Sequence, residues 1–189
     1  SNTAVGQNAL GADTQGSNTT AIGAGALQSQ NFTTATESYN TAVGTYAGAS
    51  VTTGQYNTLI GRASGDAITV GNSNTAVGQN ALSTDTKGDL NTAIGIGALQ
   101  SQNFTTTTDS YNTAVGGFAG GNVTTGTNNT LVGGLAGNAI TTGVQNTLIG
   151  SLAGDALDVG NTNVAIGVSA LGADTKGNSS VAIGSSALR

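Results

Sequence analysis

The chain has 189 residues, 37% of them hydrophobic and only 7% charged, with 31 glycines and no proline, cysteine or histidine. This hydrophobic content with a net charge of only −5 excludes a disordered chain, and the absence of proline excludes collagen. Four basic residues supply no basic patch, so we expect no nucleic-acid binding; no apolar run approaches the roughly 18 residues of a membrane span, so we expect no membrane insertion.

The first element along the chain is the motif Asn-Thr-Ala-Val-Gly, which begins at Asn2 and recurs in eleven near-copies. Each copy ends in a glycine: Gly6, Gly23, Gly44, Gly61, Gly78, Gly95, Gly116, Gly133, Gly150, Gly167 and Gly184. Most neighbouring copies are separated by a 17-residue turn, as between Gly44 and Gly61, and two pairs by a 21-residue turn, as between Gly23 and Gly44. A nearly fixed period in this range is typical of a solenoid, in which each repeat stacks on its neighbours.

We number each turn from the first residue of its motif, so that the motif occupies positions 1 to 5. The two 21-residue turns, here called the long turns, begin at Thr19 and Asn91. A second, longer period spans four turns, because residues 2–10 recur unchanged at residues 74–82. We call residues 2–73 the first block and the turns from Asn74 onward the second block. Such repetition of whole turns is what stacking between nearest neighbours tolerates.

Position 4 is Val or Ile in every copy and position 2 is Thr or Val, a β-branched pair that favours a strand over a helix. Glycine at position 5, and at position 15 of the complete 17-residue turns, predicts corners. We therefore predict one strand at the motif and a second near positions 12 to 14, giving two parallel sheets in a rod of about 50 Å. The fold class is all-β: a parallel β-solenoid of about eleven turns, forming one repeat domain over residues 1–189.

Positions 9 and 12 vary together in the 17-residue turns. Where position 9 is Gly, as at Gly48, position 12 is apolar, as at Val51. Where position 9 is Leu, position 12 is Asp: Leu10 with Asp13, Leu82 with Asp85, Leu171 with Asp174. Because protein interiors are close-packed, we predict one pocket per turn that either position can fill, but not both.

The motif strand is apolar on both faces, because position 3 is Ala or Leu and position 4 is Val or Ile. A 17-residue turn encloses one thin interior, so a single chain covers only one of these faces. The other would form an apolar stripe along the rod, which soluble monomers avoid. We predict that position 4 forms this assembly stripe and packs against other copies of the chain. Its residues are Val5, Ile22, Val43, Ile60, Val77, Ile94, Val115, Val132, Ile149, Ile166 and Ile183.

The motif copies at residues 163–167 and 180–184 resemble the head repeat of YadA-type trimeric autotransporter adhesins. Residues 40–54 and 112–126 resemble repeats of phage tail fibres that end in an intramolecular chaperone domain. This resemblance implies a left-handed parallel β-roll, three chains around one axis and a role in surface attachment. Because the repeat runs to both ends of the chain, we expect a segment of a longer fibrous protein.

Three polar features have a functional and a structural interpretation. The asparagines at position 1 could bind sugar, or could hydrogen-bond to one another along the rod. A flat threonine array at position 2 could bind ice, although Val164 and Val181 interrupt it. The aspartates at position 12 could ligate calcium, or could lie in solvated corners. With no histidine or cysteine, and no acidic pair predicted to converge, we expect no enzyme and no cofactor or metal.

The long turns carry four extra residues, lack the glycine of position 15 and hold most of the aromatic residues. Loops with aromatic and amide side chains suit contact with a sugar or a protein. The candidate receptor contacts are Phe32, Tyr39, Phe104 and Tyr111. The alternative is that the phenylalanines plug the coil and the tyrosines pack at a seam between chains.

The preferred hypothesis is a shaft or head segment of a homotrimeric fibre, located outside the cell at the surface of a bacterium or virion. Its partners would be two further copies of the chain and a cell-surface glycan or protein receptor. The alternative is a monomeric solenoid that binds ice or another ligand. A second alternative is a filament formed end to end, because the terminal strands present open edges.

Overall fold

The computed structural model describes residues 1–189 and contains fifteen β-strands and no helix. In chain order the strands are β1 (Thr3–Val5), β2 (Gly16–Ser17), β3 (Thr20–Ile22), β4 (Thr36–Glu37), β5 (Thr41–Val43), β6 (Thr58–Ile60), β7 (Thr75–Val77), β8 (Gly88–Asp89), β9 (Thr92–Ile94), β10 (Thr108–Asp109), β11 (Thr113–Val115), β12 (Thr130–Val132), β13 (Thr147–Ile149), β14 (Val164–Ile166) and β15 (Val181–Ile183). The eleven strands of three residues coincide with positions 2 to 4 of the motif.

These eleven strands form one parallel sheet in which each motif pairs with the next motif along the chain. The pairing joins equal positions, so that Thr3 lies beside Thr20 and Val5 beside Ile22. The long turns do not disturb the register, because Thr20 still pairs with Thr41 although a whole long turn separates them. The prediction of an all-β parallel solenoid of about eleven turns is therefore confirmed.

Alternation along the strand puts position 3 inside the coil and positions 2 and 4 outside it. Position 3 has no accessible surface in the inner turns, whether it is alanine, as at Ala42, or leucine, as at Leu59. It belongs to a core of 27 buried residues, all of them Ala, Val, Leu or Ile. The prediction that a single chain covers only one apolar face of the motif strand is confirmed.

The prediction of a second continuous sheet near positions 12 to 14 is wrong. The opposite side of the coil has only two short parallel pairs, β2 with β4 and β8 with β10, each joining a 17-residue turn to the long turn after it. Along this whole side the carbonyl of the position 15 glycine accepts a hydrogen bond from an asparagine side chain, as Gly71 O does from Asn57 Nδ2 at 2.9 Å. Outside the two short pairs, single backbone hydrogen bonds also join neighbouring turns, as from Thr52 N–H to Thr69 O at 2.9 Å, but they do not form a regular ladder.

The two recurrent glycines serve different purposes. Position 5 has positive φ throughout, such as 138° at Gly44, which favours glycine. At position 15 the φ of Gly71 is not positive, but a Cβ there would lie 2.6 Å from the carbonyl oxygen of Gly88 in the next turn. Position 5 therefore needs glycine for its conformation and close packing. Position 15 needs it for space alone: a Cβ would meet the backbone of the next turn or, where position 12 is Asp, the carboxylate of that residue.

The interior confirms the shared pocket of positions 9 and 12 and adds a third contributor. A Cβ on Gly48 would lie 2.9 Å from Leu27 Cδ2 and 3.3 Å from Val51 Cγ2, both in the core. Its nearest atom, however, would be Cδ1 of Leu59, at 2.6 Å, which comes from position 3 of the next turn. Leucine at position 3 thus requires glycine at position 9 in the turn before it as well.

The asparagines of position 1 form a ladder inside the coil, and in the inner turns they are 0–1% exposed. Asn129 Oδ1 accepts hydrogen bonds from the backbone N–H and the Nδ2 of Asn146, at 3.0 and 3.1 Å. Asn129 Nδ2 donates to Asn112 Oδ1 at 3.2 Å and to Gly143 O at 2.9 Å. This burial confirms the structural interpretation and removes the asparagine row as a sugar-binding surface.

Replacement of one rung of this ladder, Asn129→Ala, is expected to destabilise the chain by about 2 kcal/mol. The change leaves the backbone N–H of Asn146 and the carbonyl of Gly143 buried without their partners. The free energy of unfolding in urea measures it. Asn122→Ala is the matched control, because Asn122 is an exposed asparagine in the preceding turn; equal effects of the two changes would contradict the structural role.

Candidate functional site

The assembly stripe lies on the outer face of the eleven-stranded sheet. The isoleucines of the inner turns, such as Ile60 and Ile149, are each 38% exposed, and the valines between them are half-buried. At the two ends of the sheet the exposure rises to 58% at Val5 and 67% at Ile183. One chain therefore carries an unbroken aliphatic row about 50 Å long on its surface.

A second row runs beside the stripe on the same face. It consists of the side chains of position 2, which are threonine in the first nine motif strands and valine in the last two, β14 and β15. These side chains are half-buried in the inner turns, as at Thr113. Positions 2 to 4 contain no charged residue, so the whole outer face of the sheet is uncharged. A contiguous apolar row on such a face marks a site of contact with another surface.

The structure divides the four candidate receptor contacts. Phe32 and Phe104 are only 5% and 6% exposed, so they cannot meet a receptor directly. The interpretation of them as contact residues is corrected: they pack within the chain, outside the core of 27 aliphatic residues. Tyr39 and Tyr111 are 46% and 52% exposed and stay candidates.

Tyr39 belongs to an exposed aromatic pair. Its ring stacks on that of Tyr56 in the next turn, with centroids 5.4 Å apart and planes 14° from parallel. The Tyr39 hydroxyl donates a hydrogen bond of 2.7 Å to Glu37 Oε2. This bond, together with the negative charge of Glu37, raises the pKa of the Tyr39 phenol, so the group stays a neutral donor at physiological pH. Tyr111 has no counterpart of this pair, because the corresponding residue of the next turn is Asn128.

The extra residues of the long turns build a polar joint under the phenylalanines, which sequence analysis missed. Gln102 is fully buried; its Nε2 donates to Asp85 Oδ2 at 2.7 Å and its Oε1 accepts from Asn112 Nδ2 at 2.8 Å. Gln30 makes the corresponding bonds to Asp13 and Asn40, at 3.2 and 2.8 Å. In each long turn the glutamine thus links the position 12 aspartate of the preceding turn to the position 1 asparagine of the following turn.

The aspartates of position 12 accept hydrogen bonds from backbone N–H groups of their own turn. Asp85 Oδ1 accepts from the backbone N–H of Gly88 at 3.0 Å, and Asp174 Oδ1 accepts from that of Gly177 at 2.6 Å. Asp85 is fully buried, so its placement in a solvated corner is corrected; Asp13 and Asp174 are half-buried. No group of three or more His, Cys, Asp or Glu is arranged to hold a metal ion.

Asp66 is the one acidic residue with an unsatisfied buried atom. Its Oδ1 is buried and has no hydrogen-bond partner. Burial raises the pKa of the Asp66 carboxyl above its ordinary value of 3.8; backbone N–H groups and the charge of Arg62 oppose the rise. The corresponding residue of the second block is Asn138, which carries no charge.

The change Asp66→Asn is therefore expected to stabilise the chain by about 1 kcal/mol near neutral pH. Because the pKa is raised in the folded chain, ionisation of Asp66 opposes folding above the raised pKa. That cost falls as the pH drops through the raised value, and it is gone below 3.8, where folded and unfolded chains are both protonated. The gain in melting temperature should disappear over the same range.

Thermal unfolding of both chains across this pH range measures the effect. The control is Asp155→Asn, which makes the same change at the same position of a later turn, where no carboxylate oxygen is buried without a partner. A gain for Asp66→Asn that persists below 3.8, or an equal gain for Asp155→Asn, would contradict the assignment.

No helix in the structure has the length and hydropathy needed to cross a bilayer. Comparison of the chain with protein-family models, with curated proteins and with solved structures finds no match.

Proposed function

We propose that the chain is a structural and adhesive segment, a shaft or head, of a homotrimeric fibre that attaches to a host cell or another surface. The observation that carries this proposal is the assembly stripe, an uninterrupted aliphatic row along the whole sheet that a single chain leaves partly exposed. The proposal places the protein outside the cell, on a bacterium or a virion, as the resemblance to adhesin heads and tail-fibre repeats implies.

A rotation axis parallel to the rod suits this stripe. Every strand pairs in the same register, so a copy related by such an axis brings each position 4 residue to the height of its own counterpart. Ile60 would meet the Ile60 of each neighbouring copy, and the same holds along all eleven strands. Three chains, each a left-handed β-roll, close around one axis in the arrangement that the resemblance implies.

The energy available is large enough to hold such an assembly. Full burial of eleven Val and Ile side chains is worth on the order of 15–30 kcal/mol, an upper bound. Because the inner side chains are already more than half covered within one chain, the share left for assembly is on the order of 10 kcal/mol per chain. Entropic costs of association reduce this sum, but a net favourable contact remains.

The proposed mechanism is mechanical. Backbone hydrogen bonds, 115 in all, run mostly from turn to turn along the chain, so the rod resists bending and leaves few open segments for a protease. The fibre would hold receptor-binding residues at fixed heights along its axis. Tyr39 and Tyr111, exposed in the two long turns, would be presented about 19 Å apart, four turns of about 4.8 Å.

A second candidate function uses the same face. The threonines of position 2 lie outward beside the stripe in a regular row, which is the arrangement that a monomeric ice-binding solenoid requires. The two functions exclude one another, because trimer formation would cover the face that ice must reach. Thermal hysteresis of a monomeric chain would support the ice-binding alternative.

Multi-angle light scattering of the purified chain tests the proposal. A mass of about three times 18.2 kDa supports the fibre segment. A mass of 18.2 kDa would overturn it in favour of the monomeric solenoid. A polydisperse polymer would instead favour the end-to-end filament, in which β15 of one chain pairs with β1 of the next.

A further inference from the structure

The surface of the chain has one recess, of about 240 Å³, beside the corner that follows β9. Six residues from three successive turns line it: Gln79, Asn80, Ile96, Gly97, Gln100 and Phe118. None of them is charged, and Ile96 and Phe118 are 49% and 44% exposed. This amide groove, as we name it, combines an aromatic ring and an aliphatic side chain with three side-chain amides.

The groove exists because the second long turn has glycine at position 7. Asn80, Gly97 and Phe118 occupy this position in three successive turns, with φ of 56°, 62° and 54°. A Cβ on Gly97 would lie 2.6 Å from both Cδ1 and Cε1 of the Phe118 ring. Glycine therefore lets the ring lie against the backbone of the preceding turn and leaves the space in front of it open.

The first block contains a near-copy of the groove's lining residues, which encloses no recess of its own. Its glycine is Gly25, and a Cβ there would lie 2.6 Å from Cδ1 of the Tyr46 ring. Two differences reduce its binding capacity. Asn8 Nδ2 donates to Gln28 Oε1 at 3.3 Å, so these amides partly satisfy one another, and Ala24 stands where the amide groove has Ile96. Only the two long turns have glycine at position 7, so each groove accompanies an insertion.

The lining residues select the chemistry of a ligand. Primary amides both donate and accept hydrogen bonds, as sugar hydroxyls do. The exposed ring can take the apolar C–H face of a sugar. No charged group is present to select a phosphate, carboxylate or ammonium, and an apolar peptide side chain would leave the amides without partners. The volume lies below the roughly 300–1,000 Å³ of pockets for drug-sized molecules, which suits one ring of a longer chain.

We propose that the amide groove binds one ring of an uncharged saccharide, with Phe118 as the stacking surface and Gln79, Asn80 and Gln100 as hydrogen-bonding groups. The near-copy at Tyr46 is a second, weaker site. The proposal deepens the function of attachment and rests on it for its biological role, because it gives the fibre a ligand class. Gly95 turns the chain between Ile94 of the assembly stripe and the groove, so the two surfaces lie on different sides of a corner.

The amide groove and the near-copy at Tyr46 lie four turns apart, about 19 Å, and this spacing explains how weak sites could hold a polymer. A ring-sized site binds weakly by itself, but linked sites raise the overall affinity by a factor of about 100 or more when one polymer spans them. A trimer would present three amide grooves at one height and three of the weaker sites at another. We expect polysaccharides to bind more tightly than the corresponding monosaccharides.

The labelled full chain on a printed array of neutral and acidic oligosaccharides tests the proposal. The expected result is retention on neutral glycans, lowered roughly tenfold by Phe118→Ser and abolished when Tyr46→Ser is added. Serine is compatible with the fold, because Ser169 occupies position 7 with φ of 52°. The control is Leu135→Ser, the same position one turn later, where the residue is 39% exposed and outside the groove; it should leave retention unchanged.

Retention on no glycan, strongest retention on acidic glycans, or equal retention by wild type and Phe118→Ser would each overturn the proposal. Light scattering on the same samples separates this inference from the proposed function. A trimer that binds no glycan would overturn the groove alone. A monomer whose glycan binding depends on Phe118 would support the groove and overturn the trimeric fibre.

Discussion

The variant Val115→Asp is expected to be a folded monomer. Val115 lies at position 4 of β11, half-exposed on the outer face of the sheet, near the middle of the assembly stripe. In a single chain the aspartate would meet solvent, so the coil should form. In a trimer three carboxylates would be brought together at one height in an apolar contact, at a cost of several kcal/mol. The expected mass therefore falls from three chains to one.

Light scattering measures this mass, and circular dichroism checks that the β signal is retained. The control is Thr125→Asp, which adds the same charge at an exposed residue of the same turn, outside the stripe. That variant should keep the mass of the wild type. A Val115→Asp chain that still assembles as a stable trimer would show that position 4 is not the contact between copies.

The variant Gly48→Leu is expected to lose about 3 kcal/mol of stability or more. Left-handed φ is not the obstacle, because Leu27 has φ of 47° at the same position of the preceding turn. The obstacle is volume: even a Cβ at Gly48 would lie 2.6 Å from Leu59 Cδ1, with Leu27 and Val51 on the other sides. Three further carbon atoms would force the core apart.

Urea unfolding measures the loss of stability. Two further variants test whether the loss comes from overpacking of the core. Gly134→Leu is the control, because no atom lies within 4 Å of a Cβ at that glycine, and it should change stability little. Combining Gly48→Leu with Leu59→Ala should recover part of the loss, because Leu59 is the nearest obstacle. Unchanged stability of the single variant would refute the shared interior.

The long turns show how far sequence analysis reached. Their length, missing glycine and aromatic residues marked them as candidate binding loops, but all four aromatic residues were grouped as candidate contacts, although Phe104 is buried and Tyr111 is exposed. The signal that could have found the amide groove was glycine at position 7, present only at Gly25 and Gly97. A glycine at position 7 indicates a groove only once the structure shows that an aromatic ring of the next turn lies against it.

The aspartates and asparagines show the same limit. The sequence left two interpretations of the asparagines at position 1, and the ladder through Asn112 and Asn129 confirms the structural one. It did not predict that Asp85 is buried while Asp13 is only half-buried. Asp85 lies in an inner turn, between complete neighbours on both sides, whereas Asp13 belongs to the first turn. Burial of a polar side chain thus depends on which turns surround it.

By itself the sequence determined the repeat, the motif strand, the register and the outward row of Val and Ile. These follow from spacing, because in a parallel stack each position meets its own counterpart in the next turn, as Thr3 meets Thr20. Only the tertiary structure decided that the second side is held by asparagine side chains and separate backbone hydrogen bonds instead of a continuous sheet, and that three turns together enclose a groove. Those features depend on the approach of particular atoms, such as Asn57 Nδ2 and Gly71 O, and spacing along the chain carries no record of that approach.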